Sequence, residues 1–218
     1  MWSIVRTWIF PVACLGCGLD SVALCEGCGP FRDEATLFEV AGVPVLAAGE
    51  YAGVLQRAIL AMKRGERAYL DAFAPLLARV VPPDVTLVPV PTTRARAAAR
   101  GFDQGLELTR RAAALAGVSW ERLLEKRGSA QQGRCRAERL AACGRFRLRA
   151  DARVPEHAIL IDDVCTTGGT IADAIATLRA AGCGVAGAMV LARAPAEPLK
   201  LRRGHPIRKS APSEGVSA

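Results

Sequence analysis

The chain has 218 residues, 51% of them hydrophobic, and a formal charge of +8 at neutral pH. That suits one domain of ordinary size plus a small appendage, with apolar material enough for a real core. No run of eighteen apolar residues occurs, which excludes a membrane-spanning helix on length, and the basic balance favours anionic partners such as phosphates or nucleic acid.

Met1–Ala13 is largely apolar with Arg6, but it lacks a basic n-region and its apolar run is short, so it does not read as an export signal. Val12-Ala13-Cys14 faintly suggests a lipoprotein cleavage site; Pro11 and the following cysteines argue against one. A cytoplasmic chain is expected, and in that setting paired Cys-x-x-Cys reads as metal or redox chemistry rather than a disulfide framework. Cys14-Leu-Gly-Cys17 and Cys25-Glu-Gly-Cys28 are two such knuckles, seven residues apart. Together they supply four thiolates, the ligand set of a closed structural Zn²⁺ site. A thioredoxin-like redox pair fits less well, because there are two knuckles and no βαβ unit around them. Cys135, Cys143, Cys165 and Cys183 have no ligand spacing and read as core or loop thiols.

Phe31 to Gly49 reads as a connector. Tyr51 to Arg64 is predicted as a helix with Val54, Leu55, Ile59 and Met62 on one face, stopped by Gly65. A second helix is predicted from Glu66 to Val81, broken by Pro82-Pro83. Val85–Val90 is a predicted strand feeding a loop with Arg94, Arg96 and Arg100, which is either a pyrophosphate site or a solvated basic face. Asp103 to Leu115 is predicted helical. Trp120 to Arg149 holds nine Lys or Arg against three Glu and shows little β signal, so loop and then helix is expected there. It would line an anionic groove or form a solvated face. Beyond Leu191, a proline-broken basic tail over 194–218 is predicted to be disordered.

The most informative stretch is Ile159-Leu-Ile-Asp162-Asp163-Val-Cys165-Thr166-Thr167-Gly168-Gly169-Thr170-Ile171. It reads as a buried strand, an acid pair, a hydroxyl-and-glycine turn, and a helix continuing through Ile175 and Leu178. Glycines let the main chain approach a ligand, and a helix start offers unpaired N–H groups to a phosphate. Carboxylates only accept hydrogen bonds, so the acid pair suits ribose hydroxyls. Val154–Ile161 and Val185–Leu191 complete an alternation of strands and helices. A parallel α/β sheet covered by helices on both faces follows, with ligands beyond the carboxyl ends of its strands.

The stretch resembles the 5-phosphoribosyl-1-pyrophosphate (PRPP) motif of type I phosphoribosyltransferases. That likeness implies Asp162 and Asp163 on the ribose diol, and Cys165, Thr166, Thr167, Gly168, Gly169 and Thr170 around the 5′-phosphate, with Mg²⁺ accompanying PRPP. The four-cysteine module, Lys63-Arg64-Gly65, Val88-Pro-Val-Pro91, Arg100-Gly-Phe-Asp-Gln104, Arg127…Gln131 and Leu191-Ala-Arg193 extend it. Over residues 11 to 193 the chain resembles the ComF family, phosphoribosyltransferase-like proteins associated with DNA uptake in natural transformation. The resemblance implies a zinc-ribbon-like module over 11–30 and a phosphoribosyltransferase-like domain over 49–193. It implies PRPP as ligand, and single-stranded DNA and a DNA-uptake helicase as partners to test. Two departures stand out. Many relatives have Asn where this chain has Asp103, and also an Asn near Ala142 or Cys143. Thr166 stands where hypoxanthine–guanine enzymes place an acid. PRPP binding is therefore better supported than transfer, and an active phosphoribosyltransferase is the alternative.

Overall fold

The computed structural model describes residues 13–20, 22–25, 27–28, 35–127 and 144–194. Eight strands occur among them: β1 (Thr36–Val40), β2 (Val43–Ala47), β3 (Thr86–Pro89), β4 (Ser119–Trp120), β5 (Leu124–Lys126), β6 (Phe146–Leu148), β7 (His157–Cys165) and β8 (Gly184–Arg193). Five helices accompany them: α1 (Gly53–Lys63), α2 (Ala68–Ala78), α3 (Arg94–Arg100), α4 (Gln104–Ala116) and α5 (Gly169–Ala180). Six strands form one sheet in the order β1-β2-β8-β7-β3-β4, parallel except for the antiparallel β1–β2 pair. β5 and β6 form a separate antiparallel ribbon.

Period-two alternation along the central strands divides the core. Ile159 and Ile161 of β7, with Met189 and Leu191 of β8, pack against α1, α2 and α4 through Ile59, Phe73 and Leu108. Leu160 and Val190 point the other way, onto Ile171, Ile175 and Leu178 of α5 and onto Leu124 and Phe146 of the ribbon. Strands buried on both faces carry near-continuous apolar runs, which is why β7 and β8 stand out in the sequence. The expected parallel sheet flanked by helices is the architecture found.

Four local readings are corrected. The segment taken as a connector holds the β1–β2 hairpin, and β2 pairs in parallel with β8, so it extends the main sheet. The arginine loop after β3 is the short helix α3, started by the Thr93 hydroxyl accepting from the Arg96 N–H and stopped at Gly101. The basic region expected as loop and helix contributes β4, β5 and β6. β7 does not end before the acid pair; it runs through Asp162 and Asp163 to Cys165, with Asp162 beside Val190 and Cys165 beside Arg193 of β8. Gln131, Arg139, Cys135, Cys143 and the tail from Pro195 lie outside the described residues.

Candidate functional site

The two knuckles converge. The four cysteine sulfurs, Cys14, Cys17, Cys25 and Cys28, all lie within 4.8 Å of one another. Cys17 and Cys25 Sγ are 3.6 Å apart. A tetrahedral metal–thiolate site with bonds of ~2.3 Å places its sulfurs ~3.8 Å apart, so the cluster has the right size for one zinc-sized ion. The electrostatics agree. Burial opposes ionisation of Cys14, but N–H groups of Cys17, Cys25 and Gly16 outweigh it and hold the thiol down to about 6. Cys28 is pushed up to about 12 by hydrogen bonds to its neighbouring thiols, those of Cys25 and Cys17 first, followed by burial. Sulfurs packed this closely cannot all ionise without a cation among them. Gly16 makes the approach possible, since a Cβ there would stand 2.6 Å from the Cys28 sulfur. The knuckles rest on α1: Leu15 and Leu24 pack against the α1-side core, and Arg57 Nη2 donates to the Leu15 carbonyl at 3.3 Å.

The second site lies at the carboxyl ends of β7 and β3. The chain there leaves β7 through exposed Thr166 and Thr167 and enters α5 at Gly168, whose φ is +78°. Among the described residues no side chain caps this helix, and its first N–H groups lie at the loop. A Cβ at Gly168 would meet Val40 at 3.0 Å, so both backbone conformation and space require glycine. Gly168→Ala should destabilise the chain by about 1–3 kcal/mol, and urea unfolding checks this. A midpoint equal to that of the wild type would contradict the account. Cys165 is buried in the α5-side core, and burial, reinforced by the charge of Asp162, pushes its thiol up. Cys183 is buried as well.

Asp162 and Asp163 are both half-buried. Asp163 Oδ2 is 3.0 Å from Lys63 Nζ, at the last residue of α1. Asp162 Oδ1 accepts from the Asp163 N–H at 2.8 Å. Burial, and then the charge on Asp163, push the Asp162 carboxyl up to about 7, against the pull of that N–H, Lys63 and Lys126. Lys126, on β5, is itself held below its ordinary value, by burial first and then by the charges of Arg96 and Arg145. Lys63 of α1 and Lys126 of β5 thus act on the acid pair, and Arg96 of α3 and Arg145 before β6 act on Lys126.

The α3 arginines divide. Arg96 is exposed and its charge is felt at Lys126. Arg100 Nη1 donates to Gln104 Oε1 at 2.6 Å, which ties that guanidinium to the start of α4. Of Arg94 only the backbone, as the first residue of α3, is described. Asp103 also has a structural task, because its carboxylate accepts from the Leu106 N–H at 3.2 Å and caps α4. The turn after α1 abuts α3, a Cβ at Gly65 standing 3.5 Å from the Arg100 carbonyl, while the Arg67 guanidinium lies 4.9 Å from the Phe102 ring centre. Sequence reasoning did not include Lys63, Lys126 and Arg145 in the site. Lys63 stood out only within Lys63-Arg64-Gly65, and the other two only within the basic run Trp120–Arg149, because it is tertiary pairing that brings them to the loop.

No protein-family model matches the chain, and no curated protein matches it. Among solved structures it is similar to an orotate phosphoribosyltransferase from Aeropyrum pernix, at 22% identity over 59% of this chain, with a TM-score of 0.39. The chain spans 62% of the length of that structure. It is also similar to an adenine phosphoribosyltransferase from Leishmania tarentolae, at 16% identity over 73% of this chain and 95% of that one, with a TM-score of 0.39. With both scores this low, the functional reading stands on the residues of the site. No helix among the described residues is long and apolar enough to cross a membrane.

Proposed function

We propose that the chain binds PRPP with Mg²⁺ at the carboxyl ends of β7 and β3. The observation that carries this reading is the junction of two adjacent carboxylates with a glycine–threonine loop at a helix start, with Lys63 and Lys126 acting on the carboxylates and Arg145 bonded to Thr170. The acid pair accepts hydrogen bonds from the ribose diol. The 5′-phosphate sits on the N–H groups and hydroxyls from Thr166 to Thr170, to which Cys165 adds main chain only, its thiol being buried. Arg96 of α3 and Lys126 of β5 serve the pyrophosphate, as does Arg94 by its position on the same helix, and Arg100 acts through Gln104. Mg²⁺ bound with PRPP would supply charge neutralisation to the pyrophosphate. The four cysteines hold one structural Zn²⁺.

The resemblance to the ComF family extends this to a cytoplasmic protein that supports DNA uptake, with single-stranded DNA and a helicase as partners. The alternative is transfer of the phosphoribosyl group to a nitrogen nucleophile, favoured by the cations grouped where a leaving pyrophosphate would need them. Calorimetric titration with PRPP·Mg²⁺, with and without single-stranded DNA, tests the reading. Saturable binding near one ligand per chain is expected, together with a DNA association that weakens steeply as salt rises. Absence of PRPP binding refutes the main proposal. Pyrophosphate release on adding nitrogen acceptors would establish the alternative.

A further inference from the structure

We infer that Arg145 is a ligand of the same phosphate, a side-chain cation added to a cradle otherwise made of backbone and hydroxyls; this rests on the ribose-phosphate reading. Arg145 immediately precedes β6, and its carbonyl accepts from the Arg127 N–H at 2.9 Å, extending the ribbon by one pair. The next residue, Phe146, is fully buried beneath α5 and anchors it there. From that anchor the side chain crosses the start of α5. Its Nη1 donates to Thr170 Oγ1 at 2.9 Å, and its Nε lies 3.2 Å from Asp173 Oδ2. Its Nη2 faces the loop: a Cβ at Gly169 would stand 3.6 Å from that nitrogen and 3.7 Å from Thr167 Oγ1. The missing side chain at Gly169 therefore leaves a space bordered by a guanidinium, a hydroxyl and the helix start.

An exposed ion pair with Asp173 is worth little by itself, whereas a guanidinium matches the geometry of phosphate oxygens and strengthens when both partners are charged. A phosphate in the loop would compete with Asp173 for Arg145. Asp173 thus acts as an internal anion that holds the guanidinium over the loop and limits its grip on the ligand. The two contacts make opposite predictions for substitutions at the two ends of the pair.

The test is calorimetric titration of the full zinc-containing chain with ribose 5-phosphate, alongside ribose and inorganic phosphate. Arg145→Gln should bind ribose 5-phosphate roughly 10- to 100-fold more weakly, and Arg145→Lys should recover part of the loss. Asp173→Asn should bind roughly two- to fivefold more tightly, because the guanidinium no longer has a competing partner. Equal affinity in Arg145→Gln and wild type overturns the inference while leaving the PRPP reading intact. Weaker binding in Asp173→Asn also overturns it, since the pair would then serve only to hold the loop. Wild-type protein that ignores ribose 5-phosphate but takes inorganic phosphate overturns the ribose reading, and with it this one. If circular dichroism shows Arg145→Gln unfolded, the sign of the Asp173→Asn effect decides.

Discussion

Stripping the metal from the folded, reduced chain should abolish the ordered knuckle module and lower the unfolding temperature of what remains. Structural zinc in small thiolate modules contributes on the order of 10 kcal/mol of apparent folding free energy, more than any single side chain here can supply. Elemental analysis should first find about one zinc per chain. Of the ligands, Cys14→Ser should be the most damaging, because Cys14 is buried and receives the Cys25 N–H at 3.4 Å, while Cys17 is exposed. Gly16→Ala supplies an independent check, since it removes no ligand yet drives a methyl to 2.6 Å from the Cys28 sulfur. It should weaken zinc retention against a chelator. The loss should also be felt at the acid pair, because Ala23 and Leu15 pack with the face of α1 whose last residue, Lys63, pairs with Asp163. Zinc-free folded protein with unchanged stability would remove the metal from the account.

The parts of the molecule that were legible in advance are those whose logic is local. The knuckles, the acid pair and the glycine turn each draw their chemistry from fifteen residues or fewer. The β7 and β8 runs are legible too, because strands covered on both faces are apolar throughout. The hairpin β1–β2 was missed because its pairing with β8 lies over a hundred residues away, and because exposed Leu37 on β1 spoils any clean alternation. The ribbon β5–β6 was missed for the same reason, its strands being only three residues long with their apolar anchors at Leu124 and Phe146. Helix α3 was legible and misread: Thr93 as cap, three consecutive alanines and a Gly101 stop are all present in the sequence. Asp103 was noted as a departure from relatives with Asn, whereas its place at the start of a predicted helix marks it as the cap.

Replacing the two aspartates one at a time should separate ligand binding from stability. The unfolded-state pKa of Asp162 lies near 4, and in the fold the carboxyl is pushed up to about 7, by burial first and then by Asp163. Between about pH 4 and pH 7 the folded chain therefore keeps a proton that the unfolded chain has released. Stability should fall as pH rises through this window, then level off. Asp162→Asn removes that slope, so the variant should match the wild type near pH 4 and melt higher than it at pH 8. Binding should move the other way. A ribose diol donates to the ionised carboxylate, and Mg²⁺ favours it further, so wild-type affinity for PRPP·Mg²⁺ should climb from pH 6 to pH 8 while that of Asp162→Asn stays flatter. Asp163→Asn differs, because it strands the half-buried Lys63 ammonium. That variant should lose about 1 kcal/mol of stability as well as affinity. With both changed, PRPP binding should weaken by about 1–3 kcal/mol and the ligand-induced rise in unfolding temperature should shrink accordingly. An undiminished rise in the double variant would place the ligand elsewhere, and an Asp162→Asn variant that melts lower than the wild type at pH 8 would show that its carboxylate supports the fold rather than straining it.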